Sequence, residues 1–148
     1  MLFRSLGEGP ERAGLQALAD DLGVREAVLL PGRVGDVASL YRAAEVVVHP
    51  VRWEGFGLAL LEAMLAARPV VATRVSAAPE IVSDDLTGLL VPRDDAGALA
   101  DAVIGLLDDP MRAAAMGAAG LVRARSQFSV GQMAGWTAAV YDSVSAER

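Results

Sequence analysis

Two glutamates and two glycines in the stretch RWEGFGLALLEAML, residues 52–65, are residue types whose spacing could do chemistry. Gly55 and Gly57 carry no Cβ, so backbone amides there can approach a ligand closely. A helix starting near Gly57 or Leu58 presents free N–H groups and the positive end of its dipole. That favours an anion such as a diphosphate. Glu62 follows Leu58 by one turn on the same helix face, and every other residue from Leu58 to Leu65 is apolar. The run therefore reads as a helix buried on every side with one carboxylate inside it. Such a lone carboxylate costs on the order of several kcal/mol unless something satisfies it. An acceptor-only group in that place suits vicinal hydroxyls, such as those of a ribose. An ion pair with Arg68 or Arg74 is the structural alternative. Glu54, ahead of the glycines, is either part of the same site or a solvated loop carboxylate. The two glycines could equally serve only to turn the chain.

The other candidates carry weaker signals. His49 is the one histidine of the chain; with no second histidine or cysteine nearby, a structural role outweighs a metal site. A Ser-His-Asp or Cys-His set has no partners to draw on. No lysine is present, so a phosphate-binding Walker loop is excluded, and no G-x-G-x-x-G occurs. Gly7 and Gly9 in GEGP (7–10) either pass a phosphate or turn the chain. Arg33 in PGRVGD follows a strand and either faces the same crevice or is a surface charge. Met133, Trp136, Val140 and Val144 form one stripe on a last helix, as core or as a docking face.

These residues need a scaffold, and the chain supplies alternating short apolar runs and helical patterns. LFRSL (2–6) is a weak strand, weakened by Arg4 and Ser5. Leu15, Leu18 and Leu22 follow Pro10 at helical spacing, and Gly23 ends that helix. AVLLPG (27–32) reads as a short buried strand, and Asp36 caps the next helix, with Val37, Leu40, Tyr41 and Ala44 on one face. EVVVHP (45–50), PVVAT (69–73) and LLVP (89–92) are further strands. APEIV (78–82) is one helical turn. Asp94 or Asp95 caps a helix bearing Leu99, Val103 and Leu106, and Asp109-Pro110 opens another that runs to about Gln127. SVGQ (129–132) has the form of a capping box. Continuous apolar strands mark a parallel sheet covered on both faces. The alternation with helices predicts a doubly wound α/β domain, in which ligands bind beyond the carboxyl ends of the strands. The stretch 50–58 sits at such an end.

Composition bounds the function. The chain has 148 residues, 53% of them hydrophobic, enough for one packed domain. A net charge of −6 with no basic run argues against a nucleic-acid backbone or an anionic membrane surface as partner. The absence of cysteine excludes disulfides and thiolate metal sites and fits a reducing cytoplasm. No uncharged apolar run reaches the ~18 residues of a membrane span, and the N-terminus is not a secretory signal.

The segments EGFGLALLE (54–62), ARPVVATRVSAAPEIVSDDLTGLLVPRDD, GEGPER, LLPGRVGDVASLYRAAEVVVHP and DDPMRAAAMGAAG with the FSV tail, taken in order, resemble one family across nearly the whole chain. It is the nucleotide-sugar-binding C-terminal domain of family 4 (group 1) glycosyltransferases of the GT-B fold. The resemblance implies a Rossmann-like domain over residues 1–148, with a sheet core over about 1–92 and a helical tail over 94–148. It implies transfer of a sugar from a nucleoside-diphosphate donor to an acceptor, with retention and without a metal or other cofactor. It places Glu54 at donor-sugar hydroxyls as the catalytic carboxylate, the backbone of Gly55, Phe56, Gly57 and Leu58 at sugar and diphosphate, and Glu62 at the ribose. Arg33 and Val34 match the region that contacts the base, and Gly7 is the phosphate-passing candidate.

Departures from the family accompany these matches. Glycine is frequent in the family where this chain has Ala67, Ser76-Ala77 and Asp85, and these read as tolerated loop variation, with Ser76-Ala77 on the pocket wall. The opening strand and glycine-arginine loop of the family domain, its lysine, and the N-terminal acceptor domain have no match. The expectation is a fragment that lacks its first strand and needs an N-terminal-half partner chain, with any association with the inner membrane face left to that half. A non-catalytic sugar-nucleotide-binding subunit and an inactive remnant are the alternatives. A phosphorylase would need a lysine for its cofactor, and an epimerase fits the segment series poorly.

Overall fold

The computed structural model describes residues 2–146. The chain divides into two compact units, residues 1–37 and 38–148, and its strands form two sheets, one in each unit.

In the first unit, β1 (Phe3–Leu6) pairs in parallel with β2 (Val28–Gly32), through α1 (Arg12–Asp21) and a 3₁₀ turn at Arg25–Ala27. Gly23 closes α1 by donating its N–H to Asp20, as a glycine stop should. Strand β2 was expected to be buried. Instead its residues alternate between half-buried and exposed, ending on buried Gly32. Leu15, Leu18 and Leu22 are exposed as well. The helical spacing of these leucines defines an apolar face, and spacing alone does not supply a cover for it.

The second unit holds the larger core. Helix α2 (Val37–Ala43) leads into β3 (Val47–His49), α3 (Leu58–Leu65), β4 (Val70–Thr73), α4 (Ala78–Ile81), β5 (Gly88–Val91), α5 (Ala96–Asp108), α6 (Pro110–Gln127) and α7 (Val130–Ala146). The three strands are parallel in the order β3-β4-β5. Strand side chains alternate between faces, and both faces of β4 are closed. Val70 and Ala72 join Leu60, Leu61, Ala63 and Met64 of α3 with Ile81 and Val82. Val71 joins Val91, Leu106 and Met116 on the other side. Full burial of each large apolar side chain contributes about 1.5–3 kcal/mol. The expected α/β class with parallel pairing and a helical tail is what the chain adopts.

Three of the caps read from sequence are present. Asp95 accepts the Ala98 N–H at 2.9 Å, Asp109 accepts the Arg112 N–H at 3.0 Å, and Ser129 accepts the Gln132 N–H at 3.2 Å. Helix α7 differs from the rest. Met133, Trp136, Val140 and Val144 are all exposed, so its stripe is not core.

Candidate functional site

Strand β3 ends at His49, β4 ends at Thr73, and the loop 50–57 joins β3 to α3. The Thr73 hydroxyl donates to the Val51 carbonyl, which ties the start of the loop to the end of the central strand. The loop enters α3 through Gly57, whose φ of 95° lies in the left-handed region. A Cβ there would also meet Ile81 at 3.0 Å and Leu60 at 3.2 Å. The left-handed backbone is what favours glycine, and the two methyl contacts only make the fit tight. No side chain caps α3; the Leu60 N–H is taken by the Gly57 carbonyl, which leaves the amides at Leu58 and Ala59 for water or a ligand.

Glu54 is fixed on three sides. His49 Nε2 lies 2.9 Å from Oε2, the Gly55 N–H donates to Oε1 at 2.9 Å, and the Glu54 N–H donates to Ser76 Oγ at 3.4 Å. The hydrogen bond to His49 is the main reason its carboxyl sits below the usual carboxylate range. The Gly55 N–H adds to it, against a burial effect that pushes the other way. A carboxylate that accepts a donor on each oxygen is favoured in its ionised form and keeps its direction.

Glu62 is not inside the core. Leu60, Leu61, Ala63 and Met64 are buried, while Leu58, Glu62 and Leu65 are exposed and form one open face of α3. The expectation of a helix buried on all sides failed because two exposed leucines flank the carboxylate and mimic a core pattern. The ion-pair alternative fails too. Arg74 pairs with Asp84, the Arg68 Nε is buried without a partner, and no ion pair to Glu62 exists among the described residues. The group that reaches Glu62 is Tyr41 of α2, whose hydroxyl donates to Oε2 at 3.3 Å. Burial, and then the charge of Glu62, push the Tyr41 phenol up to about 12.

Gly7, Arg33 and Val34 belong to the first unit. The Gly7 N–H donates to the Gly32 carbonyl at 2.9 Å, which places the GEGP turn beside the residue that precedes Arg33. Arg33 is exposed and Val34 half-buried. Gly7 lines a cavity of about 190 Å³ with Ser5, Glu8, Arg12 and Leu30.

Sequence reasoning missed Tyr41 as a site neighbour, whereas Ser76, read as part of the pocket wall, does meet the Glu54 N–H. Tyr41 was read as one apolar-face residue of α2, although a half-buried phenol needs a partner for its hydroxyl. The departures Ala67, Ser76 and Asp85 prove more than loop variation. Their φ values are 56°, 48° and 63°, all left-handed, which is why glycine is the less strained residue there. Among the described residues no group of three or more His, Asp or Glu could hold a metal ion, and no helix is long and apolar enough to cross a membrane.

Comparison with known proteins gives consistent findings. The family described as "Glycosyl transferases group 1" matches residues 2–109. A lipopolysaccharide core biosynthesis mannosyltransferase, LpsB of Rhizobium meliloti, is 43% identical over 82% of this chain and 35% of its own length. A GDP-mannose-dependent phosphatidylinositol monomannoside mannosyltransferase of Mycolicibacterium smegmatis is 41% identical over 78% of this chain and 32% of its own. Sucrose-phosphate synthase from Thermosynechococcus elongatus superposes with a TM-score of 0.85 at 31% identity, over 98% of this chain and 39% of that one. HepE of Anabaena in complex with UDP superposes with a TM-score of 0.87 at 25% identity, over 96% and 41%. The chain spans about a third of the length of these two curated relatives.

Proposed function

We propose, from the premise that the chain belongs to the group 1 glycosyltransferases and has the fold of their GT-B C-terminal domain, that it binds a nucleoside-diphosphate sugar and presents it for transfer. The observation that carries this reading is the open face of α3, where Glu62 stands one turn from an uncapped helix N-terminus. In this reading the amides of Gly57 and Leu58 and the helix end receive the diphosphate, since the Gly55 N–H is given to Glu54. As the bond between the sugar and the diphosphate oxygen breaks, charge grows on that oxygen, and the fixed dipoles stabilise it with little reorganisation. Glu54, held by His49 and Gly55, receives donor-sugar hydroxyls, and Glu62 receives the ribose. Transfer proceeds with retention, as in family 4, and without a metal ion. The acceptor is held by the part of the family fold outside these residues, so turnover belongs to an assembly that includes it. The absence of cysteine suits a cytoplasmic setting, and any hold on the inner membrane face comes from that other part.

Calorimetric titration of the 148-residue chain with UDP, GDP and ADP tests the reading. One diphosphate should bind saturably, and Glu62→Ala should weaken it about tenfold, the scale of a lost hydrogen bond to a charged group. The variant should keep its circular dichroism spectrum. Unchanged affinity in Glu62→Ala overturns the ribose assignment.

A second reading is a sugar-nucleotide-binding subunit with no catalysis of its own, working only beside a partner chain. The exposure of Trp136 and Val140, 57% and 62%, favours it. Sugar transfer by the isolated chain would exclude it.

A further inference from the structure

We infer that Tyr41 is a positioning residue for the ribose-binding carboxylate: its phenol holds Glu62 Oε2 and leaves the remaining acceptor sites of the carboxylate to the nucleoside. This rests on the reading of Glu62 given above. Glu62 is exposed and has no ion pair among the described residues. A glutamate in that situation samples many rotamers, and ordering it on binding weakens the ligand. Tyr41 supplies the restraint. Its ring packs against the core built by Leu60, Ala63 and Met64, and its hydroxyl meets Glu62 across the gap between α2 and α3 at 3.3 Å. The ring is therefore a rigid arm anchored in the core, and the hydroxyl at its tip reaches the open face.

The stoichiometry of hydrogen bonding fits this role. An ionised carboxylate has about four acceptor sites. One phenol occupies one of them, and enough remain for both hydroxyls of a ribose. Tyr41 also stays a neutral donor across the working range, because its phenol is pushed up to about 12. A lysine or arginine at this position would neutralise Glu62 with a strong ion pair and compete with the ligand. A phenol directs the carboxylate without that competition.

Tyr41→Phe removes the hydroxyl and keeps the ring. The probes are UDP, GDP and ADP and their 2′,3′-dideoxy forms. For the diphosphate that binds, Tyr41→Phe should weaken the ribose form by roughly three- to tenfold, the scale of one ordinary net hydrogen bond. Affinity for the dideoxy form should not change. Adding Tyr41→Phe to Glu62→Ala should cost nothing further. Equal weakening of both forms would make Tyr41 merely structural and overturn the inference. No weakening of either would overturn it as well. If Glu62→Ala weakens binding and Tyr41→Phe does not, the inference falls alone. If Glu62→Ala changes nothing, or the folded chain binds none of the three diphosphates, the ribose reading falls and takes this inference with it.

Discussion

His49 Nε2 lies 2.9 Å from Glu54 Oε2, joining the end of β3 to the loop that precedes α3. Both side chains are largely shielded, with exposures of 15% and 25%. The imidazole, together with the Gly55 N–H, holds the Glu54 carboxyl below its ordinary value of 4.5. A carboxyl whose pKa is lowered in the fold contributes stability above its unfolded value and loses it as pH falls through the folded one. Glu54→Gln should therefore melt below the wild type at about pH 7, and the gap should narrow as pH falls below 4.5. Thermal melts of both proteins across that range check it. A gap that is constant with pH would mean that the charge of Glu54 contributes nothing to the fold.

Tyr41 gives a prediction of opposite sign. Its phenol is raised from 10.0 to about 12, first by burial and then by Glu62. A raised pKa in the fold means stability that is complete below the unfolded value and lost as pH rises through the folded one. The window is therefore alkaline, between about 10 and 12. Tyrosinate absorbance should show one late transition that is missing in Tyr41→Phe. In Glu62→Gln that transition should move down only part of the way, because burial remains. A transition that does not move would show that Glu62 and Tyr41 are not in contact in solution.

The left-handed residues lead to a stabilising substitution. Helix α3 ends with Ala67 N–H bonded to Met64 and Arg68 N–H bonded to Ala63, the paired bonds of a Schellman turn, whose left-handed position is Ala67 itself at φ 56°. Ala67→Gly relieves a strain of about 1–2 kcal/mol per residue and gives back part of it as extra chain entropy in the unfolded state. The expected net gain is about 0.5–1 kcal/mol, measured by denaturant unfolding. Ser76→Gly and Asp85→Gly should gain less. The first loses an acceptor for the Glu54 N–H, and the second loses the 2.6 Å pair with Arg112. A larger gain at Asp85 than at Ala67 would contradict this ordering.

How much of this was legible in the sequence depends on the range of the physics. Caps such as Asp109 bond three residues ahead, so a short motif contains them. Strand β4 is buried at all four residues, and its unbroken run VVAT shows as much. The pair of Tyr41 with Glu62 spans 21 residues and that of Glu54 with Ser76 spans 22. No local pattern holds either, because proximity there is made by the packing of separate elements. The open face of α3 was hidden for a different reason. Leu58 and Leu65 are apolar and exposed, and residue type marks what can be buried, not what is covered.

Two glycines in neighbouring helices should respond oppositely to the same added methyl. In α6, a Cβ on Gly117 would stand 2.3 Å from the Ala67 carbonyl oxygen and 2.9 Å from its carbon. Both are backbone atoms at the end of α3, so neither can move without shifting a helix. Overpacking of this kind costs about 1–3 kcal/mol, occasionally more. In α5, a Cβ on Gly105 would meet nothing within 4 Å. There alanine only improves helix propensity, by roughly 0.5–1 kcal/mol. Gly117→Ala should therefore lower the unfolding midpoint and Gly105→Ala should raise it. The contrast isolates close approach from helix propensity, since both sites lie inside helices and receive the same group. If Gly117→Ala were as stable as the wild type, α6 would not seat against the end of α3 as described, and the base on which α3 presents Glu62 would need to be redrawn.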